Sequence, residues 1–442
     1  MKTRFLAVAG LYAVLLGVMT NSFLLIARSP ALLFILAPLF LAVNLLAGLS
    51  ATGTKNKRFR LCQHGTILLY SYYVSMFASV IFTLLLLLGV IPCSYGLFVG
   101  HLAVCFGVHF IVFVNSLLCV YFTSVQLGLK WRIVAALLGL IPLINQVVLF
   151  FVLKIVTEEC LFEIEREERN LRRKEAKVCA TKYPLLLVHG VFFRDSKNFN
   201  YWGRIPKELE ANGAAVYYGN HHSAASVADC AAELKERILA ILAETGADKV
   251  NIIAHSKGGL DCRYMLSHLG MSDRVASLTT INTPHRGCLF ADYLLTKTPH
   301  LVKDKVAATY NATLKKLGDT NPDFLAAVTD LTDSRGRELD AQMHTPDGVF
   351  CQSVGSVMPK AAGGTFPMNF SYRLVDHFSG INDGLVDERS FVWGERYTLL
   401  QPTGKRGISH SDVIDLNREN IRGFDVREFY VTLVCDLKAR GL

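Results

Sequence analysis

The chain has 442 residues, with 46 Lys or Arg against 37 Asp or Glu, and its net charge of +9 is unevenly placed. No acidic residue precedes Glu158, while Lys2, Arg4, Arg28, Lys55, Lys57, Arg58, Arg60, Lys130, Arg132 and Lys154 are basic, so the first third carries the whole excess. A nucleic-acid binder is excluded, because such proteins gather their basic residues on one soluble face and these sit between long apolar runs; a composition 51% hydrophobic and 19% charged excludes disorder.

Crossing a bilayer core about 30 Å thick takes roughly 20 helical residues. Five apolar runs meet that length, near 5–26, 31–49, 66–91, 97–125 and 133–156, so residues 1–156 read as an all-α transmembrane domain whose partner is the lipid bilayer. Lys2 and Arg4 before the first run would also suit a signal peptide, but four further runs favour a retained helix. Basic residues prefer the cytoplasmic side. With the N-terminus inside, eight of them lie inside, against Arg28 and Lys154 outside. Five crossings then place the remainder on the extracytoplasmic face of a bacterial inner membrane. Two features oppose that count. Pro142, Asn145 and Gln146 permit a broken or re-entrant fifth run, and the seven cysteines beyond residue 156 are odd in number and show no pairing pattern. Apart from Lys154 at the end of the fifth run, the charged or histidine residues inside the runs amount to His101 and His109 in the fourth, with no acidic residue, which fits an anchor better than an ion path. Asn115, Asn145 and Gln146 read as hydrogen-bond partners between helices.

Residues 157–182 switch to Glu and Arg. Glu165 with Arg169 and Glu168 with Arg172 are spaced i, i+4, which predicts a solvated helical connector continuing from the last run. From 183 to 442, β-rich apolar runs at 185–188, 215–218, 249–253 and 275–281 alternate with amphipathic stretches at 205–212, 225–245 and 259–269. Strand then helix, repeated, requires crossovers and a mostly parallel sheet with helices on both faces. In open sheets of this kind the chemistry sits at the carboxyl ends of the strands.

The run 249–253 leads directly into Ala254-His255-Ser256-Lys257-Gly258-Gly259 and then a helical pattern. That is the setting of a nucleophile elbow, a strained turn that lifts a serine hydroxyl clear of the backbone and needs small residues two before and two after, here Ala254 and Gly258. A serine needs a base, and the base an orienting carboxylate, in the chain order Ser, acid, His. Asp383, in Gly380-Ile381-Asn382-Asp383-Gly384, is chosen as the acid over Asp376 and Asp387. His410, in Gly407-Ile408-Ser409-His410-Ser411-Asp412, is chosen as the base over His377, which precedes Asp383. Acyl transfer also needs oxyanion donors. The run 185–188 enters His189-Gly190-Val191-Phe192-Phe193, where Gly190 lets the Val191 amide face the site; the second donor is the Lys257 amide. His189 reads as a packing residue of that loop.

Val188-His189-Gly190, the serine segment, Asn282-Thr283-Pro284-His285-Arg286-Gly287, Asn382-Asp383-Gly384-Leu385-Val386 and His410-Ser411-Asp412 stand in the order found in bacterial triacylglycerol lipases, and the stretch 183–442 resembles these α/β-hydrolases. The resemblance implies an α/β-hydrolase fold, a lipid ester as substrate and its hydrolysis through an acyl-enzyme on Ser256. Ala254 stands where many members have Gly, and the helical front third is foreign to the secreted enzymes. Several such lipases hold calcium near the histidine loop. Asp412 matches one ligand position and no second carboxylate is matched, so the organic cofactor expectation is none and calcium rests on Asp412 alone. Residues 288–347, with Leu289, Phe290 and Tyr293 and a helix start at Asn321-Pro322-Asp323-Phe324, read as a helical cap over the serine. The same machinery would also serve an acyltransferase or thioesterase, and a hydrolase-like domain that only binds a partner is the remaining alternative.

Overall fold

A computed structural model describes residues 1–51, 54–139, 141, 144–191, 200–222, 224–316, 322–401 and 404–442. Pro142, Phe192, Phe193 and Asn321, all invoked above, lie outside the described residues. The chain divides into two compact units, Met1–Arg172 and Arg173–Leu442.

The first unit is helical: α1 (Lys2–Thr20), α2 (Phe23–Arg28), α3 (Leu33–Ala51), α4 (Lys57–Leu87), α5 (Tyr95–Thr123), α6 (Gly128–Leu138) and α7 (Ile144–Arg173). Side-chain caps fix two of the starts. Asn56 accepts from the Phe59 amide and Ser94 from the Leu97 amide, supplying acceptors to donors that have no partner inside the helix. The unit's outer surface is apolar, with Phe34 86% and Phe122 82% exposed, which is compatible with membrane spans. Its interior hydrogen bonds are local or between helices: Ser75 with His109, Thr83 with His101, and Asn115 donating to Asn44. Asn145 Oδ1 and Gln146 Oε1 find no partner among the described residues.

Two expectations are corrected here. The fifth apolar run is not one span. It is divided between α6, which ends at Leu138, and α7, which begins at Ile144, and among the described residues four helices are long and apolar enough to cross a membrane, Lys2–Thr20, Pro30–Gly48, Lys57–Leu87 and Tyr95–Thr123. Nor is the charged stretch solvated throughout, since Glu159 and Glu163 are buried in α7. The Glu159 carboxylate accepts from Ser124 Oγ at 2.6 Å and from the Val125 and Gln126 amides, and Arg58 lies 3.6 Å away. Lys2 Nζ meets Glu165 at 2.5 Å and Thr54 Oγ1 meets Glu167 at 2.7 Å. The start of α1, the α3–α4 turn, the end of α5 and the last turns of α7 thus share one end of the bundle, the end that holds most of its basic residues.

In the second unit, six strands, β1 (Leu185–Val188), β2 (Val216–Tyr218), β3 (Val250–His255), β4 (Val275–Ile281), β5 (Phe350–Ser356) and β6 (Arg396–Leu400), form one sheet in the order β2-β1-β3-β4-β5-β6, every pair parallel. Strands buried on both faces read as unbroken apolar runs, as β1 does. Leu185 and Leu187 pack on one face with α8 (Ile205–Ala211) and, near the end of the chain, with Tyr430 and Val434. Leu186 and Val188 pack on the other with α9 (Val227–Thr245) and α10 (Lys257–His268). Ser226 caps α9 at its start and Gly246, at φ 69°, closes it. Between β4 and β5 lie α11 (Leu289–Lys297), α12 (His300–Lys316), α13 (Phe324–Thr329) and α14 (Asp333–Gln342); Asp323 and Thr332 cap the last two. Then come α15 (Met368–Ser379), before β6, and α16 (Val426–Ala439), which closes the chain. From β1 the chain steps outward to β2 and then back across to β3, so a crevice opens where the strand order reverses, at the carboxyl ends of β1 and β3.

Leu187 of β1 is fully buried between the sheet and the helices of its face. Leu187→Ala is expected to cost about 2–5 kcal/mol, read as a lowered denaturant midpoint for unfolding of the full-length protein.

Candidate active site

Ser256 follows β3 with φ 55° and ψ −132° and precedes α10. A non-glycine residue with positive φ carries strain that the surroundings must hold. Here the Ser256 amide donates to Ile281 O of β4 at 2.9 Å, and the neighbouring positions leave no room for side chains. A Cβ on Gly258 would stand 2.4 Å from His189 O, and one on Gly190 2.7 Å from Ser256 Cβ. The loop after β1 and the turn after β3 therefore touch through glycines, as the tight-turn reading requires.

Beside this turn, His410 Nδ1 donates to Asp383 Oδ2 at 2.6 Å, and the His410 amide donates to Asp383 O at 2.9 Å. The ring of His410 lies 4.5 Å, centre to centre, from that of His255, the residue before Ser256. Asp383 is fully buried. Its Oδ1 accepts from the Leu385 and Val386 amides at 2.9 and 2.8 Å, and its Oδ2 also accepts from Asn282 Nδ2 at 2.7 Å. Asp383 is thus the carboxylate on His410. Asp387 faces Arg389, and Asp376 and His377 belong to α15. Asn282, which also donates to Ser356 Oγ at 2.7 Å, went unassigned in the sequence although it stands directly after the β4 run, with φ 46°.

On the oxyanion side, Val191 is buried and its neighbour Gly190 donates its amide to Tyr201 Oη at 3.1 Å. That hydroxyl in turn sits 2.6 Å from His255 Nδ1. Tyr201, which no sequence signal marked, links the loop after β1 to the strand that carries the serine. Burial, with His410 beside it, holds His255 well below the ordinary histidine range and hence neutral. Burial likewise pushes His189 down to about 3, with His221 stacked 4.1 Å away adding to the shift. The packing role expected of His189 agrees with this. Phe192 and Phe193, on the same loop, lie outside the described residues.

Lys257 turns its side chain away from the crevice. Its Nζ lies 2.7 Å from Asp261 Oδ1 and 3.3 Å from Cys230 Sγ, all three residues being buried. Burial opposes that charge, but Asp261 and Cys230 outweigh it and leave the ammonium above its ordinary range. His221, Cys230 and Asp261 converge closely enough to suggest a metal site, yet two of the three already face the lysine cation.

Calcium at the histidine loop meets the same obstacle. A second carboxylate does exist there, Glu419, which the sequence had not revealed. Both oxygens of Asp412 and both of Glu419 accept from the Arg406 guanidinium, and Asp412 Oδ2 accepts from the amide and hydroxyl of Ser409 as well. The residues do not fit calcium while Arg406 holds these oxygens.

Residues 183–336 match the family model described as alpha/beta hydrolase fold. The chain is 40% identical over 166 residues to a triacylglycerol lipase of Pseudarthrobacter phenanthrenivorans, a match that covers 35% of this chain and about half, 51%, of that relative's length. With a triacylglycerol lipase of Pseudomonas fragi it shares 29% identity over 294 residues, 59% of this chain and 98% of the other. A crystal structure of Staphylococcus hyicus lipase superposes with a TM-score of 0.45 at 16% identity, covering 59% of this chain and 98% of that one. The match over residues 183–336 and the six-stranded parallel sheet together make this stretch similar to the α/β-hydrolase fold, and the chain spans about half the length of the first of these lipase relatives.

Proposed function

We propose that the protein is a membrane-anchored serine hydrolase that cleaves the carboxylic esters of lipids through an acyl-enzyme on Ser256. The observation that carries this reading is the pairing of His410 with the buried Asp383 at 2.6 Å, beside a serine held at positive φ at the end of a buried strand. In this reading Asp383 fixes the Nδ1–H tautomer of His410, leaving Nε2 to take the Ser256 proton as the hydroxyl attacks the ester carbonyl. The amides of Val191 and Lys257 receive the oxyanion, each such donor being worth about 3 kcal/mol of barrier. His410 returns the proton to the departing alcohol, and water then releases the acyl group by the same path. The names of the lipase relatives support a lipid ester as substrate.

The four long apolar helices support anchoring in a membrane. We infer that the hydrolase unit lies on the cytoplasmic side, not the extracytoplasmic side that five crossings would give. Lys2 at the start of α1 pairs with Glu165 of α7, so the chain leaves the helical unit at the end where α1 begins. That is the basic end, which the charge rule places in the cytoplasm. The eleven free cysteines suit a reducing compartment.

Three measurements test these statements. A fluorophosphonate probe is expected to label Ser256 in the folded protein, and Ser256→Ala to abolish ester turnover; unaltered turnover in that variant would refute the acyl-enzyme. Asn282→Ala, which removes one of the donors to Asp383, is expected to lower kcat by roughly tenfold while leaving KM near its original value. Tags at the two chain ends are expected to be protected together from protease added to intact cells, and digestion of the C-terminal tag alone would return the hydrolase unit to the outer face.

A further inference from the structure

The loop that carries His410 is built around a positive charge. Six oxygens converge on the Arg406 guanidinium: Gly363 O at 2.6 Å, Gly407 O at 2.8 Å, the two Asp412 oxygens at 3.0 Å each, and Glu419 Oε2 and Oε1 at 2.8 and 3.3 Å. Two carboxylates with two main-chain carbonyls form the kind of oxygen cage that would suit calcium, which takes six to eight such ligands. Here the cage closes on a planar cation whose donors are fixed in a fork that matches carboxylates two bonds at a time. The cage reaches His410 through Asp412. Its carboxylate, almost wholly buried, accepts the Ser409 amide at 2.8 Å and the Ser409 hydroxyl at 2.6 Å, so the peptide leading into His410 is pinned from one side while Asp383 pins the ring from the other. Without a cation against it, the Asp412 carboxylate would be a buried charge with nothing to balance it.

We propose that Arg406 is the resident cation of the histidine loop, a positioning residue that holds Asp412, and through it His410, where related lipases would be expected to employ a metal ion. The proposal rests on the reading of His410 as the catalytic base. It makes the enzyme indifferent to calcium and to chelators, and it makes His410 sensitive to a side chain that never meets the substrate.

The test uses the full-length protein in detergent. Turnover of a soluble short-chain ester, the rate of fluorophosphonate labelling at Ser256 and the melting temperature are measured in excess EDTA and in excess calcium chloride, for the wild type and for Arg406→Gln, Arg406→Lys and Glu419→Gln. The wild type is expected to give the same turnover and melting temperature in both solutions. Arg406→Gln is expected to lose roughly tenfold or more in kcat and in labelling rate with KM changed by less than about twofold, as the loss of a supporting shell does. Arg406→Lys, which restores charge but not the fork, is expected to recover part of that loss, and Glu419→Gln to fall between it and the wild type. Wild-type kcat in folded Arg406→Gln would overturn the proposal, as would a wild-type melting temperature lowered by EDTA and restored by calcium. Should Arg406→Gln fail to fold, wild-type kcat in both other variants would overturn it instead. Failure of the hydrolase reading looks different. The wild type would then neither turn over the ester nor label at Ser256, while the melting temperatures would still report on the cage.

Discussion

The second unit depends on a carboxylate taken out of water. Asp383 is fully buried, a position in which an unpaired charge is costly, and it persists because four donors converge on it: two main-chain amides of its own turn, the Asn282 side chain and the His410 ring. Each donor comes at the price of a local conformation. The Gly384 turn folds the amides of Leu385 and Val386 back on Asp383, Asn282 adopts positive φ at the end of β4, and the His410 loop is fastened by its own amide. The sheet brings these three segments to one edge of the crevice, and the serine turn after β3 lies next to them. The pairing at this point is thus tied to the sheet order, because the donors come from the ends of separate strands and loops rather than from one continuous segment.

Much of this arrangement could be read from the chain, and the reason is local. A nucleophile elbow needs small neighbours within a few residues, so Ala254, Gly258 and the preceding apolar run declare it. The parallel sheet declares itself through strands with no polar face, such as Leu185 to Val188. What escaped were the residues whose importance lies in a partner far along the chain. Tyr201 acquires its place only when Gly190 and His255 meet around its hydroxyl, and Asn282 only when Asp383 arrives from 101 positions away. Glu419 could not be matched as a second carboxylate because its counterpart is an arginine rather than a metal ion, and a guanidinium leaves no ligand spacing to recognise.

The helical unit shows the opposite failure. Hydropathy located the apolar runs, and Pro142, Asn145 and Gln146 already allowed a break in the fifth, which is shared by α6, ending at Leu138, and α7, beginning at Ile144. The acidic residues of α7 then found the basic end of the bundle. Glu159 terminates α5 and begins α6 by accepting from Ser124, Val125 and Gln126, while Glu165 and Glu167 meet Lys2 and Thr54. A stretch that looked like a solvated spacer is in part the cover on one end of the bundle.

Lys257 faces two ways at once. Its amide borders the crevice, while its ammonium is moored behind the turn to Asp261 of the same helix and to Cys230 of α9. The first turn of α10, directly after the serine, is therefore fastened to α9 by a buried ion pair and a thiol, so the turn's position depends on a residue of a different helix.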